Sequence, residues 1–184
     1  LKKLDEVGTE SMNFRAWIAF TIGSLNAFHV PDFLKWKIEQ DFAIISPMMK
    51  NNPKPFANIH PIHRPHELST RFLPKDVKDQ VRDSWEAFRT EFKDSIVDTI
   101  DFHSPAKKNP AMMGIIKPAN REWAIEKMDQ LLDTNINFMY GEDWFTEENN
   151  KKFWDYNGKL DNIRDEDMER QLPELYAAMK KYKV

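Results

Sequence analysis

The chain has 184 residues and a formal charge of -3, from 27 basic and 30 acidic side chains with no basic block that would follow a phosphate backbone, so charge excludes nucleic acid as a partner. Hydrophobic residues make up 41% of it, enough for one substantial domain or two small ones; no apolar run reaches the roughly eighteen residues of a membrane span. Residues 1–6 lack the apolar stretch of a secretory signal, and cysteine is absent, which excludes disulfides, thiolate zinc sites and cysteine-held clusters within the chain. A cytoplasmic protein with no membrane partner is the expectation.

From Phe14 to Ile22 the chain is rich in strand formers and stops at Gly23, which predicts a buried strand. Pro31 and Asp32 open a helix through about Gln40 that carries Phe33, Leu34, Trp36 and Ile38. A loop with Pro47, Asn51, Asn52, Pro53 and Pro55 follows; then Phe56 to Ile62 and Leu68 to Leu73 read as short strands broken by Pro61 and Pro65. Pro74 starts the clearest helix, where Val77, Val81, Trp85, Phe88 and Phe92 recur at spacings of four and three. From Lys93 to Pro118 the pattern weakens into a long loop. The last third is helical: one helix from about Asn120 to Asp133, one after an N-cap at Thr146, and one from Pro173 to Tyr182.

Three histidines, His60, His63 and His66, lie close together near Glu67, but in an extended segment residues three apart face opposite ways, and Pro61 and Pro65 prevent a helix that would align them. No metal site is assigned. Glu142 with Asp143, and Asp161 with Asp165 and Glu166, read as charges at helix ends rather than as acid–base pairs, so no catalytic residue is assigned. The tryptophans and phenylalanines read as core, and Met48, Met49, Met112 and Met113 as gap fillers or loop residues.

The residues in order from Trp17 to Asn26, then Val30, Pro31, Asp32, Phe33, Lys35, Trp36, Lys37, Glu39 and Gln40, then Asn58, His60, Pro65, Leu73 and Pro74, carry a resemblance. Phe138, Met139, Glu142, Asp143 and Trp144, then Leu160, Asp161, Ile163 and Arg164, and Pro173, Glu174 and Leu175 extend it. Together they resemble the second half of radical S-adenosylmethionine proteins with a twitch domain. Asp165 departs from the pattern, which would have a glycine there.

The resemblance implies an α/β fold: a mainly helical fragment of a partial (β/α)6 barrel, with residues 1–117 as its fifth and sixth βα units and residues 118–184 as a helical C-terminal extension. The absent first half would hold the Cys-x-x-x-Cys-x-x-Cys loop for the [4Fe-4S] cluster that chelates S-adenosylmethionine, so the chain itself is expected to hold no cofactor and to be incompetent alone. Ser24, Asn26, Asn58 and His60 are the implied contacts to cofactor or substrate. The alternative is a stand-alone protein-interaction module derived from such an enzyme. Truncation would leave the Phe14 to Ile22 strand with an open edge, so self-association there, or pairing with the missing N-terminal half, is the expected partnership.

Overall fold

The computed structural model describes residues 1–10, 16–52, 56–110 and 114–183. Its elements are α1 (Lys2–Thr9), β1 (Ala19–Ile22), α2 (Val30–Gln40), β2 (Asn58–Pro61), α3 (Lys75–Asp94), α4 (Ser104–Lys108), α5 (Arg121–Gly141), α6 (Glu147–Arg164), α7 (Met168–Gln171) and α8 (Pro173–Met179). Among the described residues no helix is long and apolar enough to cross a membrane.

The helices form where the apolar spacing places them. Val77, Val81, Trp85, Phe88 and Phe92 are all buried along α3, and the Trp85 indole N–H donates to the Ala27 carbonyl at 2.9 Å, so this large core side chain keeps its polar atom satisfied. Thr146 caps α6, its hydroxyl accepting from the Asn149 N–H at 3.1 Å. At the other end of α6 Asp165 adopts the left-handed conformation, φ 53°, so the position where a glycine was expected does have a glycine-type backbone. The helix predicted to end at Asp133 continues to Gly141, and the loop predicted between Lys93 and Pro118 contains a 3-10 turn at Ile96–Thr99 and the short α4.

A partial (β/α)6 barrel is not what these residues form. β1 and β2 make one two-stranded sheet of four-residue strands in a mainly helical chain. A barrel needs strands bonded on both sides around a closed ring. The segment read as a further strand, Leu68 to Leu73, is instead wound into 3-10 turns by bonds from Leu68 N to Pro65 O, Ser69 N to His66 O and Phe72 N to Ser69 O. Phe14 and Arg15 of the predicted strand, Pro53 and Pro55 of the predicted loop, and Met112 and Met113 lie outside the described residues. What is described of that strand is β1, preceded by a single bridge from Ala16 to Ile45. Just past β1, a Cβ on Gly23 would stand 2.4 Å from the Leu68 carbonyl oxygen, so this backbone approach requires glycine.

The chain groups into two compact units. The first comprises residues 1–20, 31–59 and 87–132, the second residues 21–30, 60–86 and 133–184. In the first, Phe20 stacks on Phe33 at 4.2 Å, Trp36 meets Phe42 edge-on, and Lys93 pairs with Asp129 at 2.9 Å. In the second, Phe72 packs on Phe145 and Phe153, and Asp76 takes the Lys181 ammonium and the Tyr182 hydroxyl together. Burial raises the carboxyl of Asp76, but the two hydrogen bonds together outweigh it and hold the group below its usual range, while the bond to Asp76 and burial lift the phenol of Tyr182 above its own.

Candidate functional site

Ser24 and Asn26 sit in the turn after β1. Ser24 is buried, with its N–H on the Leu68 carbonyl at 2.8 Å and its hydroxyl on the Glu67 carbonyl at 3.0 Å. The Asn26 side chain donates to the Thr21 carbonyl at 2.9 Å and accepts from the Gly23 N–H at 2.8 Å. Residues 21 and 23 point their backbone groups to one side of a strand and residue 22, whose carbonyl takes the Ile62 N–H, to the other. Asn26 therefore satisfies the outer edge of β1 much as a neighbouring strand would. Asn58, half-buried, and His60, exposed, alternate with Ile59 and share one face of β2.

Among the described residues no three His, Cys, Asp or Glu side chains group to hold a metal. His63 meets the Phe138 ring edge-on at 4.9 Å and His66 stacks on Trp144 at 4.3 Å. Glu142 accepts from Arg71 at 3.2 Å and from the Trp144 indole at 2.9 Å, while Asp143 receives the Lys78 ammonium at 3.4 Å and the Phe145 N–H at 3.1 Å. These acids anchor the chain ahead of α6 through side-chain pairs. Asp161 likewise accepts the Met168 N–H.

The chemistry that sequence reasoning missed lies in the first unit. Lys37 is 2% exposed, and its ammonium donates to the Ile45 carbonyl at 2.9 Å and the Ser46 carbonyl at 3.1 Å. The rings of Phe42 and Phe56 stand with centroids 5.1 and 4.6 Å from Nζ. From α1, the buried carboxylate of Asp5 accepts the N–H groups of Ala43 and Ile44 at 2.8 Å and of Ile45 at 3.0 Å. The segment between is bracketed by two left-handed residues, Asp41 and Ser46, each at φ 46°. An acid thus takes the donors of this strained loop and a base takes its acceptors. Burial pushes Lys37 down to about 8, against Asp5 and Asp41, whose negative charges favour the protonated form. A signal was present: Val30 and Leu34, both buried on α2, put Lys37 next on the same stripe at spacings of four and three.

Lys37 borders a cavity of about 30 Å³ that Asp41, Phe42, Met48, Phe56 and Asp101 also line, about twice the space one water needs. Met48 and Phe56 also line a larger groove, of about 570 Å³, whose walls include Met49, Trp123, Met128 and Leu131. Exposed Lys50 and Lys127 stand along it with no acidic side chain among its described lining; Lys127 also reaches Glu126 at 3.2 Å and Gln130 at 2.9 Å. Met48 and Met49 thus line a groove, where the sequence suggested gap fillers or loop residues. The backbone beneath is pinned by Lys50 N on the Lys117 carbonyl at 2.9 Å and by Asn51, whose side chain bonds Ile115 O and Lys117 N.

No family model, no curated protein and no solved structure matches this chain. The resemblance to radical S-adenosylmethionine proteins is therefore not sustained. The short matches that carried it are explained by local roles: Gly23 to Asn26 close a strand edge, Val30 to Gln40 present a buried stripe, and Phe138 to Trp144 pack around Arg71. With that resemblance go both readings derived from it, the truncated radical enzyme and the interaction module descended from one.

Proposed function

We propose that the first unit binds a small amphipathic ligand with an anionic end group. The observation that carries this is the groove of about 570 Å³, apolar along Met48, Phe56, Trp123, Met128 and Leu131 and bordered by Lys50 and Lys127, with no acid among its described lining residues and Glu126 beside Lys127. Its volume lies in the range of small-molecule sites, and methionine walls adapt to flexible chains. Eight methylenes leaving water contribute about 6 kcal/mol, which sets tens of micromolar as the tightest dissociation constant on the order expected, before the cost of association.

Calorimetric titration with decanoate tests this, with decyltrimethylammonium as the same chain bearing the opposite charge. Saturable heat with decanoate alone is the expected result, weakened about tenfold in Trp123→Ala by loss of an aromatic wall. No saturation at millimolar decanoate would remove the reading, and equal binding of the cation would remove its anionic part.

Self-association through the edge of β1 is a separate proposal. It is supported by the fact that, among the described residues, β1 has a strand partner on one side only, and it is limited by Asn26, which already fills the Thr21 and Gly23 positions of the other side. Sedimentation velocity of the protein and of Asn26→Ala decides it. Stronger association in the variant is expected, and two monomers up to high concentration would end it.

A further inference from the structure

Lys37 is a buried cation that the binding reading does not use, and one phenyl ring separates it from the groove. Phe56 and Met48 line both the groove and the small cavity, and the Phe56 ring centroid is 4.6 Å from Lys37 Nζ. We propose that Lys37 is a carbonyl-reactive amine behind the Met48 and Phe56 wall of the groove, and that the ligand class is an apolar chain with an anionic group at one end and an aldehyde at the other. This rests on the groove being a ligand site and adds the covalent chemistry behind that wall.

The hydrogen bonds of Lys37 permit the reaction. Two of the three ammonium protons are held by the Ile45 and Ser46 carbonyls, while among the described residues the rings of Phe42 and Phe56 also face Nζ. Loss of the third proton keeps both bonds and leaves a lone pair on the side of the rings. Among the described residues, the charged groups around it are Asp5 on α1, Asp41 at the end of α2 and Asp101 across the small cavity; Asp41 is bound by Lys108 and Ser104, and Asp101 by Lys107. The two nearest acids favour the proton, yet burial outweighs them and brings the amine to about 8. At pH 7 its neutral fraction is then about 300-fold that of a lysine at the ordinary 10.5. Desolvated lysines in apolar pockets are activated as nucleophiles in this way.

In the step itself the ammonium first gives one proton to solvent, the Nζ lone pair attacks the aldehyde carbon, a carbinolamine forms, and the aldehyde oxygen leaves as water with two protons, one from the amine and one returned by solvent. The iminium that results keeps one N–H for one of the two carbonyls, and no electron is gained or lost. Access requires the Phe56 ring or the Met48 side chain to swing from the shared wall, a side-chain motion rather than a change of fold.

The probe is 9-oxononanoate with sodium cyanoborohydride, applied to the intact chain at pH 7 and read by peptide mass mapping. Reduction gives a secondary ammonium with two N–H groups, matching the two carbonyl acceptors of the site. Lys37 is expected to carry the adduct at least about tenfold ahead of any exposed lysine, an advantage reduced from the neutral-fraction ratio by restricted access. Nonanoate, which has no aldehyde, should suppress that adduct. Labelling spread over exposed lysines with Lys37 unmodified, while nonanoate still binds, overturns the proposal and leaves the groove reading standing. Absence of both nonanoate binding and Lys37 labelling overturns the two together. Lys37→Met should lose the adduct, and since that variant strands two carbonyls and is vulnerable in folding, the site mapping on the unaltered chain decides.

Discussion

Lys37 in the first unit and Arg71 in the second are set on the same plan with opposite outcomes. Each cation lies over two rings, Phe42 and Phe56 for the lysine, Phe138 at 4.2 Å and Trp144 at 5.0 Å for the arginine. Each donates to main-chain carbonyls, Arg71 through Nε to Phe138 O at 2.9 Å. Arg71, however, also meets the carboxylate of Glu142 at the surface, and a guanidinium keeps its proton in any case. Among the described residues Lys37 has no carboxylate in contact; Asp5 is committed to three backbone donors of the loop, so it opposes the charge of Lys37 at a distance. The same ring-and-carbonyl frame therefore fixes a permanent charge in one unit and a removable one in the other.

Breaking the acid side of the Lys37 frame should have the largest effect. Asp5→Ala strands three N–H donors and should cost about 3–5 kcal/mol, at roughly 1–3 kcal/mol for each buried donor left unsatisfied, measured by urea denaturation. It should also lower Lys37 further, because the negative field that now raises it is gone. A cost within 1 kcal/mol, on the order of a surface pair, would show that the loop does not depend on Asp5.

The pH profile sharpens the comparison next. With Lys37 lowered from 10.5 to about 8, the folded chain gives up its proton first and the unfolded chain holds more protons between these values, so stability should rise with pH through that window. The full rise would be about 3 kcal/mol, and it should be absent in Lys37→Met. Toward pH 10 and above, Tyr140 and Tyr182, both raised on folding, lose stability in the opposite direction.

Arg71→Met should cost about 2 kcal/mol, through lost stacking and an unpaired Phe138 carbonyl, and Arg71→Lys about half of that because the fork is gone while the charge stays. Glu142→Gln should cost less than about 1 kcal/mol, since the Glu142 side chain is 63% exposed. Thermal melts order these three, and a Glu142 effect equal to that of Arg71 would make the ion pair, rather than the rings, the source of the anchor.

Helices with a clean apolar stripe were legible from the sequence. The spacing of Val77, Val81, Trp85, Phe88 and Phe92 gave α3, and Thr146 gave the start of α6, because both signals are local. α1 was invisible because its pattern is inverted: Leu1, Leu4 and Val7 are exposed while Asp5 is buried on a partner forty residues away. The strand predicted from Phe14 and the one predicted at Leu68 rested on composition, and backbone bonding set their outcome instead: pairing with β2 for the first, turns around Pro65 and Ser69 for the second. The groove escaped notice because Met48, Phe56, Trp123 and Met128 come from distant parts of the chain. Lys37 was visible as a stripe position but not as a chemical one, since what lowers it is the burial supplied by Phe42 and Phe56.

The most direct test is a pH titration of the Lys37 side chain by NMR, following Cε and Nζ of the labelled residue in the folded chain. A midpoint near 8 is what a desolvated ammonium without a contacting acid is expected to give. A Lys37 midpoint at or above 10.5 would mean that its charge is fully compensated, and the distinction between the two cation sites would fall.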